Sequence, residues 1–347
     1  MQQFLLIFIV ALVFSVVGTP LARRLALASG VVDVPSARKV HREPTPLLGG
    51  AAIYLAFVLA LLFFGGRQEI RQLVGILVGA TLVSVVGVID DVRGLRPLIK
   101  LLGQVIAAAI LPLAGIRVQL LPIEALNLLL TLVWVVGITN ALNLLDNMDG
   151  LSGGVAAIAA AHFLLLAVMN TPPQVLVGAF SAALLGACIG FVRYNFNPAS
   201  IFMGDTGSLF LGFILAALAI KLRFLSNTYV VTWMVPVVVL LVPIFDTTLV
   251  TVSRLRRGRN PLTTPGKDHL SHRLVALGCS RREAVLIIWL VASSVGMLAT
   301  FLTRAGLVEA YLVGGALLAL FAYAIWWFER HAPGGAPGTP PADQRRS

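Results

Sequence analysis

Residues 73–89 read LVGILVGATLVSVVGVI, and two adjacent acids, Asp90 and Asp91, follow directly. The run contains no charged side chain, and a helix of this length approaches the roughly 30 Å thickness of the hydrocarbon core of a bilayer. Acids are costly inside lipid, so the pair marks the point at which the chain would leave the membrane. This stretch predicts a membrane-spanning helix that ends in two carboxylates.

Similar apolar runs recur along the whole chain. Of its 347 residues, 58% are hydrophobic and 12% are charged, and the mean hydropathy is +0.93. A soluble domain carries about 25% charged residues, so too few charges are present here to cover a globular surface. The two cysteines, Cys188 and Cys279, do not indicate a disulfide framework. We therefore predict an all-α integral membrane protein without a separate soluble domain.

Eleven apolar runs approach the length that a spanning helix needs. They cover residues 4–21, 47–64, 73–89, 98–115, 120–138, 151–169, 175–191, 209–220, 229–249, 284–302 and 308–327. The fifth run is weakened by Pro122 and Glu124, and the eighth is short. The sequence predicts a polytopic catalytic domain over residues 1–328 and a cytoplasmic tail over residues 329–347, whose Pro- and Gly-rich composition is typical of disorder.

The distribution of charge orients these helices. If the N-terminus lies outside, 20 of the 26 lysines and arginines fall in inner segments and 6 in outer ones, as the positive-inside rule requires. This orientation places the C-terminus in the cytoplasm, and the sorting accounts for the net charge of +11 without nucleic acid. Eight aspartates fall on the same inner side, although acids do not follow that rule. Their grouping indicates a polar site that faces the cytosol.

The pair formed by Asp90 and Asp91 needs an opposite charge nearby. Adjacent carboxylates at a membrane boundary repel each other, so a cation, a proton or a basic partner must offset them. A simpler interpretation is a solvated helix end paired with Arg93 or Arg96. The DDxxD spacing of soluble prenyl-transferring enzymes is absent, because Gly94 occupies its last position.

Residues 140–154 read NALNLLDNMDGLSGG and gather amides and acids. Three asparagines at spacings of three and four would share one face if the fifth helix continued through them. Asp146 and Asp149 are three residues apart and can point near one place. Amide and carboxylate oxygens are ligands that Mg²⁺ prefers, and burying them without a partner is costly. A CDP-alcohol phosphotransferase would begin such a motif with DGxxAR, which is absent here.

Residues 196–208 read FNPASIFMGDTGS and open the eighth apolar run. Glycines let the backbone approach a ligand closely, and a helix N-terminus favours anions. Asp205 is therefore a candidate site residue. The alternative is ordinary capping of the helix by Asp205 or Thr206.

Two inner loops carry further candidates. Residues 267–274 read KDHLSHRL, and His269, His272 and Arg273 suit pyrophosphate oxygens better than zinc, since no cysteine accompanies them. The first inner loop, residues 33–50, reads DVPSARKVHREPTPLLGG and adds His41. Asp246, near the inner end of the ninth run, either orients the site or pairs with a loop arginine.

Taken together, these stretches resemble the polyprenyl-phosphate N-acetylhexosamine-1-phosphate transferases. The patterns DxPxxRKxHxxPTPxxGG, DD…Lys, NxxNxxDNMDGLSGG, FMGDTGS and DHLSHRL occur in order over residues 33–274. The chain looks more like the UDP-N-acetylglucosamine:undecaprenyl-phosphate enzymes of glycosyltransferase family 4 than like the phospho-N-acetylmuramoyl-pentapeptide transferases, which carry a run of histidines in the last loop. Many family members read His-x-His-His there, and Ser271 departs from that pattern.

The resemblance implies transfer of N-acetylglucosamine-1-phosphate, or a related sugar phosphate, from a UDP-sugar to polyprenyl phosphate at the inner membrane, with UMP leaving. It implies that Asp90 and Asp91 are catalytic and that Asn143 and Asp205 bind Mg²⁺, for which Mn²⁺ can substitute. The implied substrate-binding residues are His41, Lys100, Asp146, Asp149, His269, His272 and Arg273. Expected partners are the two substrates and the lipid bilayer, without nucleic acid, and a homodimer is left open.

Two other functions remain open at this point. One is the phospho-N-acetylmuramoyl-pentapeptide transferase reaction of peptidoglycan synthesis. The other is a non-enzymatic transporter of lipid-linked sugars. A transporter would carry an internal repeat and charges near the bilayer midplane, whereas the acids here cluster at helix ends and no repeat is found.

Overall fold

Helices make up nearly all of the regular structure of this chain. The computed structural model describes residues 1–33, 44–62, 69–224, 227–261, 264 and 266–331. The helices in chain order are α1 (Gln2–Ser29), α2 (Gly49–Leu61), α3 (Ile70–Arg93), α4 (Pro97–Leu113), α5 (Glu124–Leu145), α6 (Leu151–Met169), α7 (Val175–Asn195), α8 (Gly204–Lys221), α9 (Tyr229–Thr232), α10 (Met234–Val239), α11 (Leu241–Arg256), α12 (Leu270–Ala276), α13 (Arg281–Leu302) and α14 (Leu307–His331). Two-residue strands, β1 (Val32–Asp33) and β2 (Thr45–Pro46), pair antiparallel and are an exception to the all-α prediction.

Eight of the described helices are long and apolar enough to cross a bilayer, namely α1, α3, α5, α6, α7, α8, α13 and α14. The α9–α11 segment is a further apolar unit, which bends by 72° between Val239 and Leu241. The helices α2 and α4 are apolar but shorter. Each of the eleven predicted runs overlaps one or more of these helices, and eight of the runs match one unbroken helix of spanning length. The chain is a multi-pass helical membrane protein.

The fifth predicted run differs from the observed helix at both ends. The helix begins at Glu124 rather than at residue 120. The reason is a loop stabilised by Asn127, whose Oδ1 accepts the backbone N–H groups of Leu120 and Leu121 at 3.2 and 3.0 Å. At its other end the helix continues to Leu145. It therefore carries the first two asparagines of the NxxNxxDN motif, and the third lies just beyond its end.

The last helix extends beyond the predicted domain boundary. It ends at His331, so Glu329 lies in its final turn rather than in a tail. An ion pair with Arg273 holds Glu329 there, with 2.7 Å between Arg273 Nη2 and Glu329 Oε1. The predicted tail beyond residue 331 lies outside the described residues, as does the part of the first inner loop that contains His41.

The beginning of α8 is packed tightly between α2 and α3. A Cβ atom on Gly50 would lie 2.2 Å from the backbone nitrogen of Gly207, and one on Gly87 would lie 2.5 Å from Thr206 Cα. Small residues allow helix backbones to approach this closely in membranes. Most residues of α8 are buried inside the protein. The backbone that carries Asp205 is therefore held by two neighbouring helices.

Candidate active site

A side chain from another helix caps the N-terminus of α8. Asp91, in the last turn of α3, accepts the backbone N–H of Asp205 at 2.7 Å. It also accepts the backbone N–H of Thr206 at 3.0 Å and Thr206 Oγ1 at 2.6 Å. A carboxylate is favourable there, because the free N–H groups and the helix dipole both present positive charge. Self-capping by Asp205 or Thr206, one of the predicted alternatives, is wrong, since α8 has no side-chain cap of its own.

Gly204 makes this capping contact feasible. Its φ is +67°, in the left-handed region that favours glycine. A Cβ atom at this position would lie 2.6 Å from Asp91 Oδ2. Any side chain at residue 204 would therefore push the carboxylate away from the helix N-terminus.

Lys100, in the first turns of α4, lies between two acids. Its Nζ is 2.5 Å from Asp205 Oδ2 and 3.0 Å from Asp90 Oδ2. Asp90 Oδ1 also accepts the backbone N–H of Leu95 at 2.6 Å, which stabilises the turn between α3 and α4. Lys100 therefore offsets the charge of Asp90, while the N-terminus of α8 offsets that of Asp91. In the described part of the chain, the two arginines that follow the pair in sequence form no ion pair with either acid.

Asn143 joins α5 to this group. Its Nδ2 donates to Asp205 Oδ1 at 2.6 Å and to Ser208 Oγ at 2.9 Å. Its Oδ1 accepts from Lys100 Nζ at 3.2 Å. One hydrogen-bonded group, which we call the carboxylate–lysine cluster, therefore forms where the ends of α3 and α5 meet the starts of α4 and α8. Its members are Asp90, Asp91, Lys100, Asn143 and Asp205.

The donor atoms around this cluster fit a divalent cation. They are carboxylate and amide oxygens, which Mg²⁺ prefers. Asp146, directly after α5, has no hydrogen-bond donor in the described part of the chain, and burial, followed by the negative charges of three neighbouring aspartates, raises its pKa to about 8. A cation would relieve that excess of negative charge. No three His, Cys, Asp or Glu side chains among the described residues form a ready-made metal site, so Mg²⁺ would also need phosphate and water oxygens.

The cluster contributes Asp91, Asn143 and Asp205 to the wall of a cavity of about 1010 Å³. Ligand-binding cavities typically measure about 300–1,000 Å³, so this one can hold a ligand of nucleotide-sugar size. Acidic and basic side chains line it together, and the basic ones include Arg23, Lys267 and Arg281. Such a lining suits an anionic ligand that is accompanied by a cation.

Asp149 positions one wall of the cavity. Its Oδ2 accepts Asn197 Nδ2 at 2.9 Å and the backbone N–H of Ala199 at 3.1 Å. Arg23 Nε donates to the carbonyl of Ser200 at 3.1 Å on the same loop. The connection between α7 and α8 is therefore held from two sides. Both Asp149 and Asp146 line the cavity.

The two histidines of the last loop lie in different surroundings. His269 is 5% exposed, and its Nδ1 is 2.8 Å from Asp246 Oδ2. Asp246 Oδ1 also accepts the backbone N–H of Leu270 at 2.7 Å. Of the two alternatives for Asp246, the structure supports orientation of this loop rather than pairing with an arginine. His272 lines the cavity, and burial, followed by the positive charges of His269 and Lys267, lowers its pKa to about 4.

Ser271 connects the last loop to the segment that follows α5. It is 1% exposed, and its hydroxyl donates to Asn147 Oδ1 at 2.5 Å. Asn147 in turn lines the cavity. The residue that departs from the family pattern therefore joins two of the motifs directly.

Arg273 is placed differently from the prediction. Its side chain is 1% exposed and lies away from the described lining of the cavity. It donates to the carbonyl of Asp268, to Ser253 Oγ and to Glu329. These internal acceptors engage the guanidinium, and Arg273 is not among the described residues that line the cavity.

The structure therefore separates the predicted site residues into three groups. The carboxylate–lysine cluster and three cavity-lining residues, Asp146, Asp149 and His272, lie together. His269 and Arg273 are buried outside the described lining, and His41 lies outside the described residues. Sequence reasoning left Asp246 undecided and missed Glu329. The sequence did contain a signal for Asp246, because an acid within an apolar segment is usually functional. It contained no comparable signal for Glu329.

Comparisons with known proteins give this geometry a context. A model of glycosyl transferase family 4 matches residues 73–223, which include Asp90, Lys100, Asn143 and Asp205. A protein of Bacillus subtilis, named probable undecaprenyl-phosphate N-acetylglucosaminyl 1-phosphate transferase, is 37% identical over 300 residues. That match covers 84% of this chain and 82% of that protein. This chain belongs to glycosyl transferase family 4.

Two other relatives of this glycosyl transferase family 4 chain carry different names. The decaprenyl-phosphate N-acetylglucosaminephosphotransferase of Mycolicibacterium smegmatis is 34% identical over 328 residues, covering 84% of this chain and 80% of that protein. The phospho-N-acetylmuramoyl-pentapeptide-transferase of Desulforudis audaxviator is 35% identical over 246 residues, which cover 61% of this chain and 73% of that protein. The family predicted from the five sequence patterns is confirmed.

Proposed function

We propose that this chain transfers N-acetylglucosamine-1-phosphate from a UDP-sugar to undecaprenyl phosphate or another polyprenyl phosphate, with release of UMP. The observation that carries the proposal is the contact of Lys100 with both Asp90 and Asp205 at the edge of the cavity. Phosphoryl transfer needs mainly positioning and neutralisation of charge, and this arrangement offers both. The names of the B. subtilis and M. smegmatis relatives support this sugar and this lipid. The muramoyl-pentapeptide relative matches less of the chain.

The proposal includes eleven spans, with the N-terminus outside and the C-terminus in the cytoplasm. The spans are the eight long helices, the bent α9–α11 segment, and the shorter helices α2 and α4. In this arrangement the ends of α3 and α5 and the starts of α4 and α8 fall on one side of the membrane. The lysine and arginine distribution supports assigning that side to the cytoplasm. The cavity then opens to the cytosol, where UDP-sugars are available.

In this proposal Asn143 and Asp205 hold Mg²⁺, and Mn²⁺ can substitute for it. When bound, the cation offsets the negative charge of the UDP-sugar pyrophosphate. Lys100 contacts both residues and would bind a phosphate oxygen beside them. Asp91 contributes by fixing the backbone of Asp205 at the start of α8. Its role is then to position Asp205 rather than to take part in chemistry.

We assign Asp90 to the chemical step. A phosphomonoester has a second pKa of about 6, so the polyprenyl phosphate is mostly dianionic at neutral pH and needs no strong base. Asp90 can therefore orient the acceptor phosphate without deprotonating it, and a covalent phospho-enzyme is the alternative. Asp146 and Asp149 are assigned to the nucleotide. His272, neutral at pH 7, is assigned as a hydrogen-bonding partner of the sugar phosphate.

The test is an assay of the purified protein in lipid nanodiscs with UDP-N-acetylglucosamine, undecaprenyl phosphate and Mg²⁺. We expect equimolar UMP and lipid-linked N-acetylglucosamine pyrophosphate, both abolished by chelation. UDP-N-acetylmuramoyl-pentapeptide in place of UDP-N-acetylglucosamine is the matched comparison. A preference for the pentapeptide donor would favour the muramoyl reaction, and no product from either donor would contradict the proposal.

A further inference from the structure

The end of α14 is unlike the rest of that helix. Among the residues of α14, Ala310 alone is buried, and the others face outward or lie partly covered. The Glu329 side chain in its last turn is nevertheless 6% exposed, and it faces an Arg273 side chain that is 1% exposed. A helix that makes so few internal contacts thus places one acid inside the protein.

Arg273 depends on this acid for charge neutralisation. An arginine stays protonated in proteins, so a buried one needs a nearby anion. The adjacent Asp268 is already engaged, because its two carboxylate oxygens accept Arg254 Nε at 2.8 Å and Nη2 at 3.0 Å. Arg254 holds the pKa of Asp268 below its usual value against the opposing effect of burial. Among the described residues, Glu329 is therefore the carboxylate that pairs with the Arg273 guanidinium.

The ion pair acts on α12, the short helix that carries His272 into the lining of the cavity. The beginning of α12 is held through His269 and Leu270, which both contact Asp246 of α11. Its middle is held through Arg273, the residue next to His272. The helix that carries His272 is thus held by Asp246 and Ser253 of α11, by Asn147 through Ser271, and by Glu329 of α14.

We propose that Glu329 is a positioning residue for the donor-substrate site. It neutralises Arg273 and thereby fixes α12 so that His272 faces the cavity, which couples the last helix to substrate binding. The inference rests on the proposed function insofar as the ligand is a UDP-sugar. Removing one partner of a buried ion pair leaves an uncompensated charge, so the effect of losing Glu329 should be large.

The first experiment compares Glu329→Gln with Glu309→Gln. Glu309 lies in the first turn of the same helix and accepts the backbone N–H of Gly306 at 3.0 Å, far from the cavity along the chain. We expect Glu329→Gln to raise the KM for UDP-N-acetylglucosamine about tenfold, with kcat changed less than about threefold. Glu309→Gln should leave both unchanged. A Glu329→Gln protein that loses thermal stability but keeps its KM would reduce the ion pair to a structural role and overturn the proposal.

A double variant covers the case in which Glu329→Gln does not fold. Arg273→Gln combined with Glu329→Gln removes both charges and leaves no buried charge unpaired. We expect this protein to fold and to show a raised KM, because the contact from α14 to α12 is still absent. A double variant that folds with the KM of the unmodified protein would show that α12 does not need this contact, which contradicts the proposal.

A substrate-free measurement separates this inference from the proposed function. Diethyl pyrocarbonate modifies accessible histidines, and mass spectrometry can follow each site. We expect Glu329→Gln to raise the modification rate of His272 several-fold, while exposed His331 is unaffected. Unchanged reactivity of His272 would overturn the positioning role, whereas absence of UDP-sugar binding by the unmodified protein would overturn the proposed function alone.

Discussion

Gln104 and Asn140 exchange hydrogen bonds in both directions between α4 and α5. Asn140 Nδ2 donates to Gln104 Oε1 at 2.5 Å, and Gln104 Nε2 donates to Asn140 Oδ1 at 3.3 Å. Gln104 is one turn along α4 from Lys100, and Asn140 is one turn along α5 from Asn143. The pair therefore fixes the register of the two helices directly beside the carboxylate–lysine cluster.

Breaking this pair should disturb the carboxylate–lysine cluster, although neither residue belongs to it. We expect Gln104→Leu to lower thermal stability and to reduce kcat/KM several-fold, because Asn140 Oδ1 loses its donor at a cost of about 1–3 kcal/mol, although Nδ2 keeps its bond to the carbonyl of Val136. Replacing both residues by leucine should recover much of the stability, since no polar atom then remains unpaired. Thermal unfolding measures the change in stability, and steady-state kinetics measure the change in kcat/KM. A single variant that behaves like the unmodified protein would contradict it.

The acids at the end of α3 should respond differently to substitution. Asp90→Asn should reduce kcat by about 100-fold or more while UDP-sugar binding is retained, because Asp90 is assigned to the chemical step. Asp91→Asn loses one hydrogen-bond acceptor at the start of α8, so its main effect should be a melting temperature lower by about 2–4 °C. Near-normal turnover of the Asp90→Asn protein would remove Asp90 from the mechanism.

Asp205 should set the requirement for metal. Asp205→Asn keeps an oxygen but loses the charge, so the protein should fold and yet need about tenfold more Mg²⁺ for half-maximal activity. Asn143→Ala should act in the same direction, and the double variant should be less than additive, because both residues contact each other. A Mg²⁺ titration with an unchanged midpoint in Asp205→Asn would show that the metal binds elsewhere, with Asp146 next to be tested.

His272 should make stability depend on pH. Its folded-state pKa of about 4 lies below its ordinary value of 6.5, so the unfolded chain binds more protons between these two values. Stability should therefore fall as the pH is lowered from 6.5 towards 4. His272→Gln should flatten this dependence, whereas His331→Gln, at the exposed end of α14, should not. Equal pH dependence of melting in all three proteins would contradict the shift.

The proposed orientation can be tested independently of activity. Reporter fusions after Asn170 and Arg304, at the far ends of α6 and α13, should lie outside the cell membrane. Fusions after Arg193 and Arg259 should lie in the cytosol. If either of the first two proved cytosolic, the assignment of the cavity to the cytoplasmic side would be wrong.

Much of the fold could be predicted, because lipid imposes a simple rule on sequence. A spanning helix must be apolar over most of its length, so its approximate position can be read directly. Helix ends were less predictable. The start of α5 depends on the side chain of Asn127, which binds the backbone of Leu120 and Leu121, and the end of α14 depends on the ion pair of Glu329 with Arg273. Residue type alone indicates neither contact.

The residue types that form the site could be predicted from the sequence, but the role of each residue could be predicted less well. Asp91 caps a helix whose first residues lie more than 100 positions away, and such pairing cannot be inferred from spacing. Arg273 resembles an anion ligand in sequence, yet burial beside Glu329 makes it an internal counter-charge. Roles depend on which groups share a cavity, and that requires the three-dimensional arrangement.

The glycine contacts at the start of α8 have a dynamic consequence. Because Gly50 and Gly87 bring backbone against backbone, α8 has no free volume in which to slide or rotate relative to α2 and α3. We therefore expect these three helices to move together during turnover. We then expect entry of the nucleotide and departure of the lipid product to depend on α12, which carries His272 into the lining of the cavity and is held by side-chain bonds that can break and re-form.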